Sequence, residues 1–169
     1  PSKRGGAWMN SHALQSGLQD TRPVVTNTAN FPKPSPGDPA LLTIDQVRTM
    51  FHEFGHALHG LFSNVQYPSL SGPSVPRDFV EMPSQFNEHW ADEPSVFARY
   101  ARHYKTGEPM PAALKERIDR ASRFNGGYAL TEQLAASLID MDWHTLAAAQ
   151  VPKTIDAFED SSLKSHGLD

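Results

Sequence analysis

The hydrophobic pattern of the chain changes near residue 43. From there on, Val47, Met50, Phe51, Phe54, Leu58, Leu61 and Phe62 recur at the three- and four-residue spacing of an amphipathic helix. Thr43, with Gln46 three residues on, has the form of a capping box, so a helix is predicted over 44–63. A Pro/Ser/Gly-rich loop spans 67–76. A second helix begins near Arg77 and carries Phe79, Val80, Met82, Phe86 and Trp90, with Pro83 kinking it or lying in its first turn. Further helices are predicted over 95–105, 112–124, 128–149 and 153–164. Met50, Phe51, Phe54, Met82, Phe86, Trp90 and Trp143 fall at helical spacing and read as core, as does Tyr128 beside Gly126-Gly127.

Residues 1–40 read differently. Pro1, Pro23, Pro32, Pro34, Pro36 and Pro39 crowd this segment, and no helical period appears in it. One β-like run, 24–31, lies between Pro23 and Pro32 and predicts a strand at a sheet edge. Gly5-Gly6-Ala7-Trp8-Met9 reads as a second extended piece. The fold class is therefore mainly α with a little β. An extended segment, 1–40, precedes a helical region, 41–169, read as one partial domain. Residues 161–169 read as a helix ending and a new segment starting, so the chain is expected to be a piece of a longer polypeptide.

Composition narrows the chemistry. The 169 residues carry a net charge of −4, which argues against a general nucleic-acid binder. No apolar run is long enough to span a membrane. With no cysteine, disulfides and thiolate metal sites are excluded, so a bound metal must be held by imidazole and carboxylate. Four of the eight histidines, His52, His56, His59 and His89, fall within one stretch.

The strongest chemical signal is His52-Glu53-Phe54-Gly55-His56. Positions i and i+4 on a helix differ by about 40° in azimuth and roughly 6 Å in rise, so both imidazoles leave one face. Two nitrogens then reach one tetrahedral Zn²⁺. Glu53, rotated about 100° from His52, is turned too far to ligate but is placed to hold a zinc-bound water, as the general base of a metallopeptidase does. The bland alternative is two surface histidines with an incidental glutamate. Its weight falls because the motif is centred in a capped, amphipathic helix.

A catalytic zinc takes a third protein ligand and keeps one position open. A third histidine ten residues after the first is ruled out, because that position is Phe62. The remaining route is a carboxylate from the second helix, with Glu81, Glu88, Asp78 and Asp92 as candidates. The 67–76 loop turns the chain back antiparallel, which favours Glu81 near the start of that helix. His59 shares the ligand face, but as a fourth ligand it would close the open position, so it reads as a neighbour. Asp78 and Glu88 are candidates to accept the other ring N–H of a ligand histidine. His89, His103, His144 and His166 lack partner spacing and read as structural or surface residues.

Phe51-His52-Glu53-Phe54-Gly55-His56-Ala57-Leu58-His59, followed by Pro76-Arg77-Asp78-Phe79-Val80-Glu81-Met82-Pro83-Ser84-Gln85, resembles the thimet oligopeptidase/neurolysin family of zinc metallopeptidases, and within it the bacterial peptidyl-dipeptidases and oligopeptidases. Lys3-Arg4-Gly5-Gly6-Ala7-Trp8-Met9 and Phe124-Asn125-Gly126-Gly127-Tyr128 resemble it too. The resemblance implies a zincin-type core whose zinc ligands are His52, His56 and Glu81 and whose catalytic base is Glu53. It implies Zn²⁺ as cofactor, short peptides as substrates and a cytoplasmic location. It further implies a parent of two helical lobes around a channel, so that N- and C-terminal segments are missing from this chain. The function expected is hydrolysis of peptide bonds in short peptides, as a peptidyl-dipeptidase or oligopeptidase. The alternatives are an inactive zinc-binding fragment of such an enzyme and a thermolysin-like peptidase core.

Overall fold

The computed structural model describes residues 5–168. Lys3 and Arg4 of the N-terminal motif lie outside the described residues. The chain forms two compact units, divided between Met110 and Pro111.

In the first unit, β1 (Ala7–Ala13) pairs antiparallel with β2 (Val24–Ala29), with Trp8 opposite Thr28 and an irregularity between Ser11 and Ala13. The strand expected over 24–31 is thus two residues shorter, and the extended piece read at its N-terminal side is its partner. Both strands pack on α1 (Ile44–Leu61). The connection between the strands docks on the chain beyond α1, where Gly17 N–H donates to the Val65 carbonyl at 2.9 Å and Val65 N–H to Gln15 Oε1 at 2.8 Å.

The capping box that starts α1 is formed. Gln46 N–H donates to Thr43 Oγ1 at 3.2 Å, and Thr43 N–H to Gln46 Oε1 at 2.9 Å. The second predicted helix is broken in two, α2 (Arg77–Val80) and α3 (Met82–Asp92), with Glu81 between them. Pro83 is the second residue of α3, where its missing N–H leaves no bond unmade. Next comes α4 (Pro94–Tyr100), capped by the Glu93 carboxylate on Ser95 and Val96 N–H. The helix expected over 95–105 stops at Tyr100, because Ala101 turns out of helical geometry and His103 pairs with Glu108 around Gly107, whose φ is +72°.

Contacts with α1 are made by small residues. Gly55, Ala57 and Gly60 are buried on it, together with Glu53. A Cβ at Gly55 would lie 2.6 Å from Ser84 Cα, 2.8 Å from the Pro83 carbonyl oxygen and 2.9 Å from Asn87 Cβ. A Cβ at Gly60 would come within 3.0 Å of Val25. Asn87, itself buried, donates from Nδ2 to the Phe51 carbonyl at 2.6 Å. Arg48 on α1 pairs with Asp92 at the far end of α3, with Nε 3.0 Å from Oδ2.

The aromatic core read from helical spacing needs correction. Phe54 is 50% exposed, Phe86 61% and Trp90 45%, and Met50, Met82 and Trp143 are exposed as well. Only Phe51 of that set is partly covered. The helices meet through their glycine, alanine and serine positions, so the larger apolar residues flank the contact instead of filling it.

The second unit holds α5 (Ala112–Arg123), α6 (Gly126–His144) and α7 (Ile155–Ser165). The helix expected over 128–149 ends five residues early: Leu146 N–H turns to the Trp143 carbonyl three residues back, and the Thr145 hydroxyl takes up the Met141 and Asp142 carbonyls. A short 3₁₀ turn, Ala148–Gln150, follows. Tyr128, expected in the core, is 69% exposed. Trp143 and Phe158 meet edge to face at 4.9 Å between centroids. Asp142 Oδ2 accepts from Ser162 Oγ at 2.7 Å and lies 3.0 Å from His166 Nε2. Among the described residues, no helix is long and apolar enough to cross a membrane.

Candidate metal centre

Helical geometry alone places His52 and His56 one turn apart, and their rings stand 4.9 Å apart at 86°. Glu81, in the break between α2 and α3, faces both. Its Oε2 is 3.2 Å from His52 Nε2 and 3.1 Å from His56 Nε2. One donor atom from each of the three residues lies within 4.8 Å of the others. Donors around a tetrahedral ion with bonds of about 2.0–2.1 Å sit about 3.3 Å apart, so the carboxylate is at the right reach from each imidazole.

The tautomer of His52 supports the same conclusion. Its Nδ1–H donates to Glu88 Oε1 at 2.6 Å. In the neutral ring this leaves the Nε2 lone pair facing the Glu81 oxygen. A lone pair against a carboxylate is relieved by a proton or a cation between them, and a single divalent cation would serve His56 Nε2, 3.1 Å from the same oxygen, as well. The donor set fits a divalent metal, and the contact with Glu88 fixes the orientation of the His52 ring. His56 Nδ1 is buried with no hydrogen-bond partner among the described residues.

Glu81 is held from behind by Ser84, whose Oγ is 2.8 Å from Oε2. This hydrogen bond, more than the nearby His56 and His52, holds the Glu81 carboxyl below the usual carboxylate range, against the opposing effect of its partial burial. Glu53 is buried on α1 beside His52, with no hydrogen bond or ion pair among the described residues.

The other candidates part company here. Asp92 is engaged by Arg48 and is not in the cluster. Asp78 is exposed on α2 and has no partner among the described residues. Of the two carboxylates considered as acceptors for a ligand histidine, Glu88 makes that bond and Asp78 does not. His59 packs against the Phe79 ring, and burial, with His56 nearby, lowers its proton affinity. Ser84 was not singled out from the sequence. Its signal was a small hydroxyl residue three positions after Glu81, at the start of a helix.

A helix carrying two imidazoles and a second chain segment bringing a carboxylate to them form a cluster that could hold a metal ion. Residues 1–166 match the model of peptidase family M3, and the chain belongs to that family. It is 55% identical to a dipeptidyl carboxypeptidase of Salmonella typhimurium and 52% identical to that of Escherichia coli, in each case over 99% of this chain and 25% of the relative. Oligopeptidase A of E. coli is 42% identical over 85% of this chain and 22% of its own length. The chain thus spans about a quarter of the length of the curated relatives it matches.

Proposed function

We propose that this chain carries the zinc site of a peptidase that hydrolyses peptide bonds in short peptides, in the manner of a dipeptidyl carboxypeptidase or oligopeptidase. The observation that carries this reading is the convergence of His52 Nε2, His56 Nε2 and Glu81 Oε2. Family membership and the names of the relatives support it. A bound zinc ion supplies a Lewis acid that acidifies water and polarises a carbonyl.

The chain's own residues do the rest. His52, His56 and Glu81 would hold the ion, with Glu88 fixing the His52 ring from its Nδ1 side. Glu53 takes a proton from the attacking water and delivers it to the leaving amine, the two halves of general acid–base catalysis. No covalent link to the protein forms. The outer edge of β2 offers backbone groups that an extended peptide pairs with.

Zinc content and turnover of a quenched peptide test the reading. One zinc per chain is expected, with binding lost far more in Glu81→Ala than in Glu88→Ala. Equal losses in the two variants reassign the third ligand. Cleavage that falls about 10²–10⁴-fold in Glu53→Gln supports the base. Cleavage unchanged by that substitution removes it. A second reading, a zinc-binding fragment without turnover, is favoured by the short span relative to the relatives, and stoichiometric zinc with no Glu53-dependent cleavage would establish it.

A further inference from the structure

We propose that Ser84 is a positioning residue for the metal centre, its hydroxyl fixing the Glu81 oxygen that faces both histidines. The inference rests on the zinc reading above and assigns a task to a residue outside the ligand set. Ser84 is fully buried, at 0% exposure, at the third position of α3. Its Oγ has two acceptors in reach, the Glu81 carbonyl at 2.9 Å and Glu81 Oε2 at 2.8 Å. One hydroxyl proton serves one of them at a time. Donation to the carbonyl is an ordinary backbone tie. Donation to Oε2 acts on the metal site, because that same oxygen lies 3.2 Å from His52 Nε2 and 3.1 Å from His56 Nε2.

Two features of the fold make the second role physical. The Glu81 side chain is half exposed, so without a tether it is free to swing away into solvent. Ser84 sits on a close helix contact, since a Cβ at Gly55, one residue before His56, would lie 2.6 Å from its Cα. The hydroxyl therefore ties the carboxylate to α3 where α3 packs against the helix that carries both imidazoles. A hydrogen bond behind a ligand is typically worth 10–100-fold in metal affinity.

The test compares Ser84→Ala with Ser71→Ala in this chain. Ser71 is also buried and bonds Ser63 Oγ at 3.1 Å, outside the cluster. Zinc affinity is read by competition with a chromophoric chelator, the Co²⁺-loaded protein by its visible spectrum, and the metal-free protein by its unfolding midpoint. Ser84→Ala is expected to bind zinc 10–100-fold more weakly and to alter the Co²⁺ bands, with Ser71→Ala matching wild type. Wild-type affinity and spectrum in Ser84→Ala, while Glu81→Ala loses zinc, overturn the inference and leave the ligand set standing. A loss of affinity matched by Ser71→Ala and by a lowered metal-free midpoint in both overturns it as well, since it reports only a lost buried hydroxyl. Full zinc affinity in Glu81→Ala removes the ligand set, and this inference with it.

Discussion

The two compact units of this chain are built on opposite principles. In residues up to 110, the buried positions are, Phe97 apart, small or polar, and those on α1 and α3 close around a polar cluster. Beyond residue 110, the one buried residue among those described is Ser162, held by Asp142. Its long helix, α6, is apolar on several sides, yet Leu130, Leu134 and Met141 are all at least half exposed. A helix apolar all round is ordinarily an interior one. One unit has its contacts and the chemistry they position. The other shows side-chain surface suited to an interior, tied locally by an aromatic edge and a polar clip. The contrast separates two properties that hydrophobicity alone confounds, being apolar and being covered.

The sharpest way to break this contrast is to remove one aromatic from each unit. Phe97, 7% exposed and in edge contact with Tyr100, should cost about 3–5 kcal/mol as Phe97→Ala. Trp143, 37% exposed, should cost only about 1–2 kcal/mol as Trp143→Ala. Urea unfolding of the two variants measures both. Equal losses would mean that exposure does not mark the difference between the units.

Metal linkage comes next. Zinc at a hundredfold excess over its dissociation constant adds about 2.7 kcal/mol to whatever unfolds with the site. Hydrogen exchange should show that protection gained in α1 and α3 and lost again on chelation, with α6 and α7 unchanged. Equal gains in α6 would show the two units opening together. A smaller effect is expected from Gly55→Ala. The new methyl meets the backbone of Ser84 and Pro83, and overpacking of this kind costs about 1–3 kcal/mol. Because the strain parts α1 from α3, zinc affinity should fall along with stability, and a variant stable as wild type with full affinity would show the close approach to be dispensable.

How much of this was legible in the sequence follows from the range of the forces involved. The capping box at Thr43 and the i, i+4 histidines are local, and both were readable from a handful of neighbouring residues. Placing Glu81 needed the loop direction as well, and the break at Glu81 came from Pro83. The tether from Ser84 and the clamp of Arg48 on Asp92 depend on the depth at which α3 seats on α1, which Gly55 sets and no period reveals. The core reading failed for the same reason. Periodicity shows that Phe54, Phe86 and Trp90 share faces of their helices, but not that glycine and serine occupy the line of contact.

The smallest expected effect concerns the clip that holds α7 to α6. Ser162 Oγ, and after it His166, donate to Asp142 and hold its carboxyl below the ordinary carboxylate range. A carboxyl whose folded-state proton affinity is depressed favours the folded form at any pH above its unfolded value. That contribution drains away as pH falls from the ordinary carboxylate range through the lower folded value. The α7 amides should therefore lose hydrogen-exchange protection over that acidic interval, and Asp142→Asn should flatten the loss there. Asp142 is exposed enough for solvent to screen it, so the change should be modest and should shrink at high salt. If the Asn variant keeps the wild-type acid profile, the clip is incidental, and the ring contact of Trp143 with Phe158 is left as the tie between these two helices.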